Sequence, residues 1–188
     1  MEKGIVEILK NLEKTSEQFW NIPQTTAQFL HIVVRSTNAK KILEIGTSNG
    51  YSGIYFAEAL SHVNGRLYTI ESHKKRFELA RYNFEQSGLT PFIQQIFGHA
   101  PEILSQIEET FDLIFLDATK MEYKSYIEVL LPKLKPGGLI ISDNAISHSK
   151  AMKDYTDFIN TQQNLENTLL PIDNGLMISY KPKAPVSY

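Results

Sequence analysis

The chain has 188 residues, 42% hydrophobic and 21% charged, with a formal net charge of −2 and no cysteine. This composition suits one globular domain with a core of useful size and excludes an intrinsically disordered chain. The missing thiols exclude a disulfide framework, a thiolate zinc site and a cysteine nucleophile, and the small net charge gives no general pull toward nucleic acid or anionic lipid.

Met1-Glu2-Lys3-Gly4 leads into a charged amphipathic stretch rather than the apolar segment of a secretory signal. No apolar run nears the roughly 18 residues of a spanning helix, so the expectation is a cytoplasmic protein with no membrane association. Helices are expected over 1–20 and 24–36, with Pro23 opening the second. Five short apolar runs then follow: Lys41 to Ile45, Arg66 to Ile70, Phe92 to Phe97, Phe111 to Leu116 and Gly138 to Ser142. They read as strands, rich in Ile, Leu, Phe or Tyr and bounded by Gly, Pro, Asp or Asn.

Helical segments alternate with them over 51–61, 73–87, 100–109, 121–132 and 148–161. In the second of these, Phe77, Ala80, Arg81 and Phe84 recur at helical spacing before the stop signal Ser87-Gly88. Two more strands flank Pro171-Ile172-Asp173-Asn174-Gly175, where Asn174-Gly175 is a tight-turn signal for an antiparallel pair. Such alternation predicts an α/β fold with a parallel sheet covered on both faces. Without a repeat or a linker, residues 1–188 read as one domain, with N-terminal helices to 36 and a core from 40 to 181.

The first strand runs into Glu44-Ile45-Gly46-Thr47-Ser48-Asn49-Gly50-Tyr51-Ser52-Gly53. Glycines there let the backbone turn out of the sheet and approach a ligand. The helix starting near Tyr51 offers free N–H groups to an anionic group. Gly46, Gly50 and Gly53 do not have the spacing of dinucleotide binders. Glu71, ending the second strand, can accept hydrogen bonds from both hydroxyls of a ribose. The alternative is a structural turn plus a solvated carboxylate. Glu44 lies inside an apolar strand, where a buried charge needs a ligand or a backbone donor.

Asp117 follows the fourth strand and Asp143-Asn144 the fifth, at the carboxyl edge where open α/β sheets bind ligands. Two carboxylates and an amide oxygen make a hard set suited to Mg²⁺, Mn²⁺ or Ca²⁺. The competing reading makes Asp117 a helix cap and Asp143-Asn144 a turn. Lys120 is either a solvated lysine or, beside a metal that lowers its pKa, a base. Phe19, Trp20 and Tyr123 are candidates for an aromatic pocket wall or for core.

The Gly-rich turn, Thr69-Ile70-Glu71, Asp117-Ala118-Thr119-Lys120 and Lys135-Pro136-Gly137-Gly138 with Ser142-Asp143-Asn144 occur in an order that resembles one family. It is the class I S-adenosylmethionine-dependent methyltransferases, specifically the cation-dependent O-methyltransferases that act on catechols and caffeoyl-CoA. The likeness runs from about Asn21 to Lys181, with weaker matches at Asn21-Ile22-Pro23 and Asp173-Asn174-Gly175-Leu176. It implies a Rossmann-like methyltransferase fold: a mostly parallel seven-stranded sheet with an antiparallel C-terminal hairpin and helices on both faces.

Carried onto matching positions, the resemblance places Glu44, Gly46, Ser48 and Ser52 along the methionine part of S-adenosylmethionine. Ile22, Thr47, Gly50, Tyr51 and Asp117 complete its surroundings, Glu71 holds the ribose, and Ser72 with His99-Ala100 lies near the adenine. Asp117, Asp143 and Asn144 hold a divalent cation, usually Mg²⁺, and Lys120, beside Asp117, takes the proton of the acceptor hydroxyl. The implied partners are a small hydroxylated acceptor and a second copy in a homodimer.

Two departures stand out. His99 replaces an acidic or small polar residue, and the loop after Asn144 is shorter than in plant members. A second reading is methylation of a tRNA base hydroxyl by the same chemistry. A nicotinamide-dependent oxidoreductase is opposed by the glycine spacing, and a catalytically silent binding domain by the Asp117, Lys120, Asp143 and Asn144 set.

Overall fold

Residues that must be buried on both sides settle in the middle of a sheet, and here that place goes to β1 (Lys41–Ile45) and β4 (Phe111–Leu116). The computed structural model describes residues 1–183, so the last five residues of the expected 1–188 domain lie outside the described residues. β2 (Arg66–Glu71), β3 (Ile93–Phe97), β5 (Leu134–Ser142), β6 (Glu166–Leu170) and β7 (Leu176–Tyr180) complete a seven-stranded sheet. The strand order is β3-β2-β1-β4-β5-β7-β6. β1 to β5 pair in parallel, and β7 pairs antiparallel with both β5 and β6. The expected fold is the observed one.

Helices cover both faces. α1 (Lys3–Glu13), α2 (Ser16–Phe19), α3 (Gln24–Thr37), α4 (Tyr51–Ser61) and α5 (Lys74–Ser87) precede β3. α6 (Ala100–Leu104), α7 (Tyr123–Leu130) and α8 (Lys153–Asn160) follow it. The period of two along each strand divides the core. Ile42, Leu113, Phe115 and Ile141 pack with α1, α3, α4 and α5, while Leu43, Ile45, Ile114, Leu116 and Ile140 pack with α6, α7 and α8. Truncating a fully buried member such as Phe115 to Ala costs about 3–5 kcal/mol.

Five expectations need correction. The helix expected over 1–20 is broken into α1 and α2, and it ends where Trp20 takes a left-handed φ of 53°. The helix expected over 100–109 stops at Leu104, and α8 begins only at Lys153, because residues 144–152 form successive turns. Phe92 belongs to a 3₁₀ turn over Thr90–Phe92 that precedes β3. Asn174-Gly175 does not make a two-residue hairpin: Leu170 pairs with Leu176, which leaves a five-residue loop. The loop is held open because its carbonyls do other work, accepting from Ala145 N–H (Gly175) and from Ile146 and Ser147 N–H (Asn174). The C-terminal hairpin thus braces the loop that follows β5.

Strands β1 and β4 are neighbours, yet the chain leaves β1 toward β2 on one side and returns to β4 on the other. That reversal opens a crevice at their carboxyl ends, where ligands bind in sheets of this kind.

Candidate active site

A cleft of about 680 Å³ occupies that crevice. Its floor begins where β1 ends. Gly46 has a φ of 105°, and a Cβ there would lie 2.1 Å from the carbonyl oxygen of Asp117, so only glycine lets the ends of β1 and β4 approach this closely. Ser48 also takes a left-handed φ, of 49°. That turn aims its N–H at Glu71 Oε2 (2.8 Å), while His73 N–H donates to Glu71 Oε1 at the same distance. Two backbone donors therefore fix the Glu71 carboxylate, and each oxygen keeps a lone pair for a ligand.

Glu44 lies beneath this loop rather than on the cleft wall. It is fully buried, and its partners are hydroxyls: Ser52 Oγ donates to Oε1 at 2.5 Å and Thr69 Oγ1 to Oε2 at 2.6 Å. Thr47 lies 2.5 Å from Thr69 and extends the chain. Burial raises the Glu44 pKa to about 7 against the pull of those two hydroxyls.

At the far end, Asp117 and Asp143 project from β4 and β5, which pair Leu116 with Ser142. Lys120 Nζ donates to Asp117 Oδ1 at 2.8 Å, with the ammonium 5.3 Å from the Tyr123 ring centroid. Asp143 is 2% exposed, and its Oδ1 has no hydrogen-bond partner among the described residues. Burial first, then the nearby Asp117, raises its pKa to about 7. Asn144, at a φ of 66°, turns its amide toward Ser147 Oγ, 3.3 Å away.

Of the residues singled out from sequence, Gly46, Ser48, Glu71, Ser72, His99 and Ala100 line the cleft on the β1–β3 side. Asp117, Lys120, Asp143 and Asn144 line it on the other. Ile22, Thr47, Gly50, Tyr51 and Ser52 are not on its wall. Ile22 is core, Gly50 packs on Phe84, and Tyr51 Oη donates to Glu13. Trp20 is 70% exposed at the rim, with the Arg76 guanidinium 4.5 Å from its ring centroid, and Phe19 O accepts from Ser48 Oγ. Tyr123 is fully buried and donates to Leu116 O, so it belongs to the core.

Sequence reading missed Arg76, Glu122, Tyr126 and Asn174 on the wall, together with Ser147 and His148 of the loop after Asn144. Glu122 and Tyr126 share one helical turn at the start of α7, but Arg76 and Asn174 come from distant elements, so no motif announces the set.

The donor set fits a hard cation. An unpartnered buried carboxylate oxygen, a second carboxylate and an amide meet at one strand edge. Among the described residues no three His, Cys, Asp or Glu side chains cluster to hold a metal, so any such set depends on the amide of Asn144.

A family model described as O-methyltransferase matches residues 2–181. The catechol O-methyltransferase of Niastella koreensis is 38% identical over 138 residues, which span 71% of this chain and 62% of that protein. Caffeoyl-CoA O-methyltransferase 2 of Populus trichocarpa is 30% identical over 94% of this chain and 83% of its own length. Among solved structures, the O-methyltransferase from Bacillus cereus in complex with SAH superposes with a TM-score of 0.84 at 28% identity, covering 96% of this chain and 91% of that one.

Proposed function

Because the chain belongs to the class I S-adenosylmethionine-dependent O-methyltransferase family, we propose that it moves a methyl group from S-adenosylmethionine to a hydroxyl of a small catechol-like acceptor. The reading includes assistance by a divalent cation, with Mg²⁺ the first choice. The observation that carries it is the unpartnered, buried Oδ1 of Asp143 in the same cleft as the Asp117–Lys120 pair.

Glu71, fixed by two N–H groups, receives the ribose hydroxyls. The loop from Gly46 to Gly50 brings bare backbone against the methionine part, and Glu44 supports that loop through Ser52 and Thr69. Asp117, Asp143 and Asn144 would hold the cation, which would supply Lewis-acid chemistry that lowers the pKa of the acceptor hydroxyl. Lys120, with one ammonium proton released to solvent, accepts the acceptor's proton at Nζ, and its bond to Asp117 keeps Nζ aimed into the cleft. Holding the oxygen nucleophile in line with the methyl group removes much of the entropic barrier.

One observation favours a second acceptor class. Lys74, Lys75 and Arg76 form a basic run with no ion pair among the described residues, and Arg76 reaches the cleft. A tRNA base hydroxyl would place phosphates beside that run.

The test incubates the protein with methyl-labelled S-adenosylmethionine and a 3,4-dihydroxyphenyl acceptor, with Mg²⁺ and with EDTA. Labelled product only with Mg²⁺ is expected. Product that persists in EDTA overturns the cation role, and none in either tube moves the acceptor to the second class.

A further inference from the structure

We propose that Glu122 is the side chain that reads the exocyclic amine of the cofactor's purine, and so sets the preference for an adenosyl over a deaminated cofactor. This deepens the cofactor assignment above and rests on it. With the ribose on Glu71, the base has one direction to follow. β3 runs beside β2 with Phe97 opposite Glu71, and Gly98 N–H donates to Glu71 O at 3.0 Å. The wall beyond the ribose is therefore Ser72, Gly98 and His99, closed from the other side by Glu122 and Tyr126.

An amine that leaves water needs acceptors for its N–H groups. Glu122 is the carboxylate on that part of the wall. Its two oxygens are held separately: Tyr126 Oη donates to Oε2, and His99 Nε2 lies 3.3 Å from Oε1. Each oxygen keeps capacity for one further bond. The side chain is 32% exposed, open to the cleft but not free to swing. Burial, reinforced by Glu122 itself, pushes the Tyr126 phenol above its usual range, so it stays protonated and remains a donor. Tyr126 is thus a positioning residue for Glu122.

Deamination replaces the amine with a carbonyl oxygen, which would face the carboxylate lone pairs with no proton between them; the new N1–H donor lies on the ring beside that position and does not restore the exocyclic contact. Sites built around one hydrogen-bonding group reject the analogue that lacks it.

The experiment measures the dissociation constants of S-adenosylhomocysteine and S-inosylhomocysteine by calorimetry. The wild-type protein is expected to favour the adenosyl ligand by about tenfold or more. Glu122→Ala brings the ratio toward one, chiefly by weakening the adenosyl ligand. Glu122→Gln tightens the inosyl ligand relative to wild type, because its amide can donate to the carbonyl. Tyr126→Phe keeps the carboxylate but loosens it, and lowers the ratio partway. An unchanged ratio in Glu122→Ala, with its unfolding temperature preserved, overturns the proposal, as does a wild-type protein without preference. Failure of the wild type to bind either ligand has a different signature and brings down the cofactor assignment itself.

Discussion

Glu44 lies within β1 and Asp143 just past the end of β5, on either side of β4 in one sheet, and burial pushes both carboxyls to about 7. Their surroundings differ in one respect. Both oxygens of Glu44 are met by hydroxyls from Ser52 and Thr69, whereas Oδ1 of Asp143 has no hydrogen-bond partner among the described residues. A buried carboxylate with its bonds complete supports the structure around it. One left incomplete, in a cleft and beside a second carboxylate, is poised for something the chain does not supply. The same raised pKa thus describes a support and a binding group, and only the hydrogen-bond count tells them apart.

The largest effect should come from breaking the incomplete member. Asp143→Ala is expected to lower kcat/KM for a catechol acceptor by about 10³-fold or more, on the scale of losing an electrostatic group in the reacting site. The dissociation constant for S-adenosylhomocysteine should stay within about threefold of wild type. Calorimetry and steady-state kinetics on the same preparation check both. Retained turnover would put Asp143 in the class of Glu44. Next comes Lys120→Ala, expected to lower kcat by about 10²-fold with cofactor affinity unchanged, as for loss of a general base.

Glu44 gives the third effect, in stability rather than rate. The folded carboxyl holds its proton up to about pH 7, while an ordinary one releases it near 4.5. Between those values the folded state binds more protons than the unfolded, so stability falls as pH rises, and the loss is complete above 7. The loss is on the order of 3 kcal/mol. Glu44→Gln can accept one hydroxyl with its carbonyl and donate to the other with its amide. Urea unfolding of metal-free protein between pH 4.5 and 7.5 should show a flatter profile for this variant. Asp143 contributes the same slope to both proteins, so the difference isolates Glu44. Equal profiles would show that Glu44 ionises in the fold without cost.

Asp117 and Asp143 were legible in the sequence because each closes a run of apolar residues that only a central strand satisfies. Leu113 to Leu116 and Leu139 to Ser142 force Asp117 and Asp143 to the same sheet edge. What separates Glu44 from Asp143 was not legible. Ser52 and Thr69 reach Glu44 from 8 and 25 residues away, and sequence spacing does not report hydroxyl orientation. Trp20 stayed open between pocket wall and core for a related reason. Helical periodicity suits an aromatic to the core, but the left-handed turn at Trp20 swings it out over Arg76 at the rim. The hairpin was foreseen and its turn was not, because the carbonyls of Asn174 and Gly175 are taken by the loop after β5, a tertiary demand that overrides local turn preference.

Glu71 sharpens the comparison with the smallest effect, since it combines both conditions. Like Glu44 it is buried and met on both oxygens, yet its partners are backbone N–H groups and it still faces the cleft. Removing it therefore has two consequences, a lost ribose contact and a freed Ser48 N–H that unsettles the Gly-rich loop. Glu71→Ala is expected to weaken S-adenosylhomocysteine by about tenfold, the range of one charge-assisted hydrogen bond. Repeating the measurement with the 2′-deoxy ligand separates the two causes. Removing the hydroxyl should weaken binding to wild type and leave Glu71→Ala unaffected, because the variant has no contact left to lose. If the deoxy ligand costs the variant as much as the wild type, Glu71 acts through the loop alone, and its role is that of Glu44.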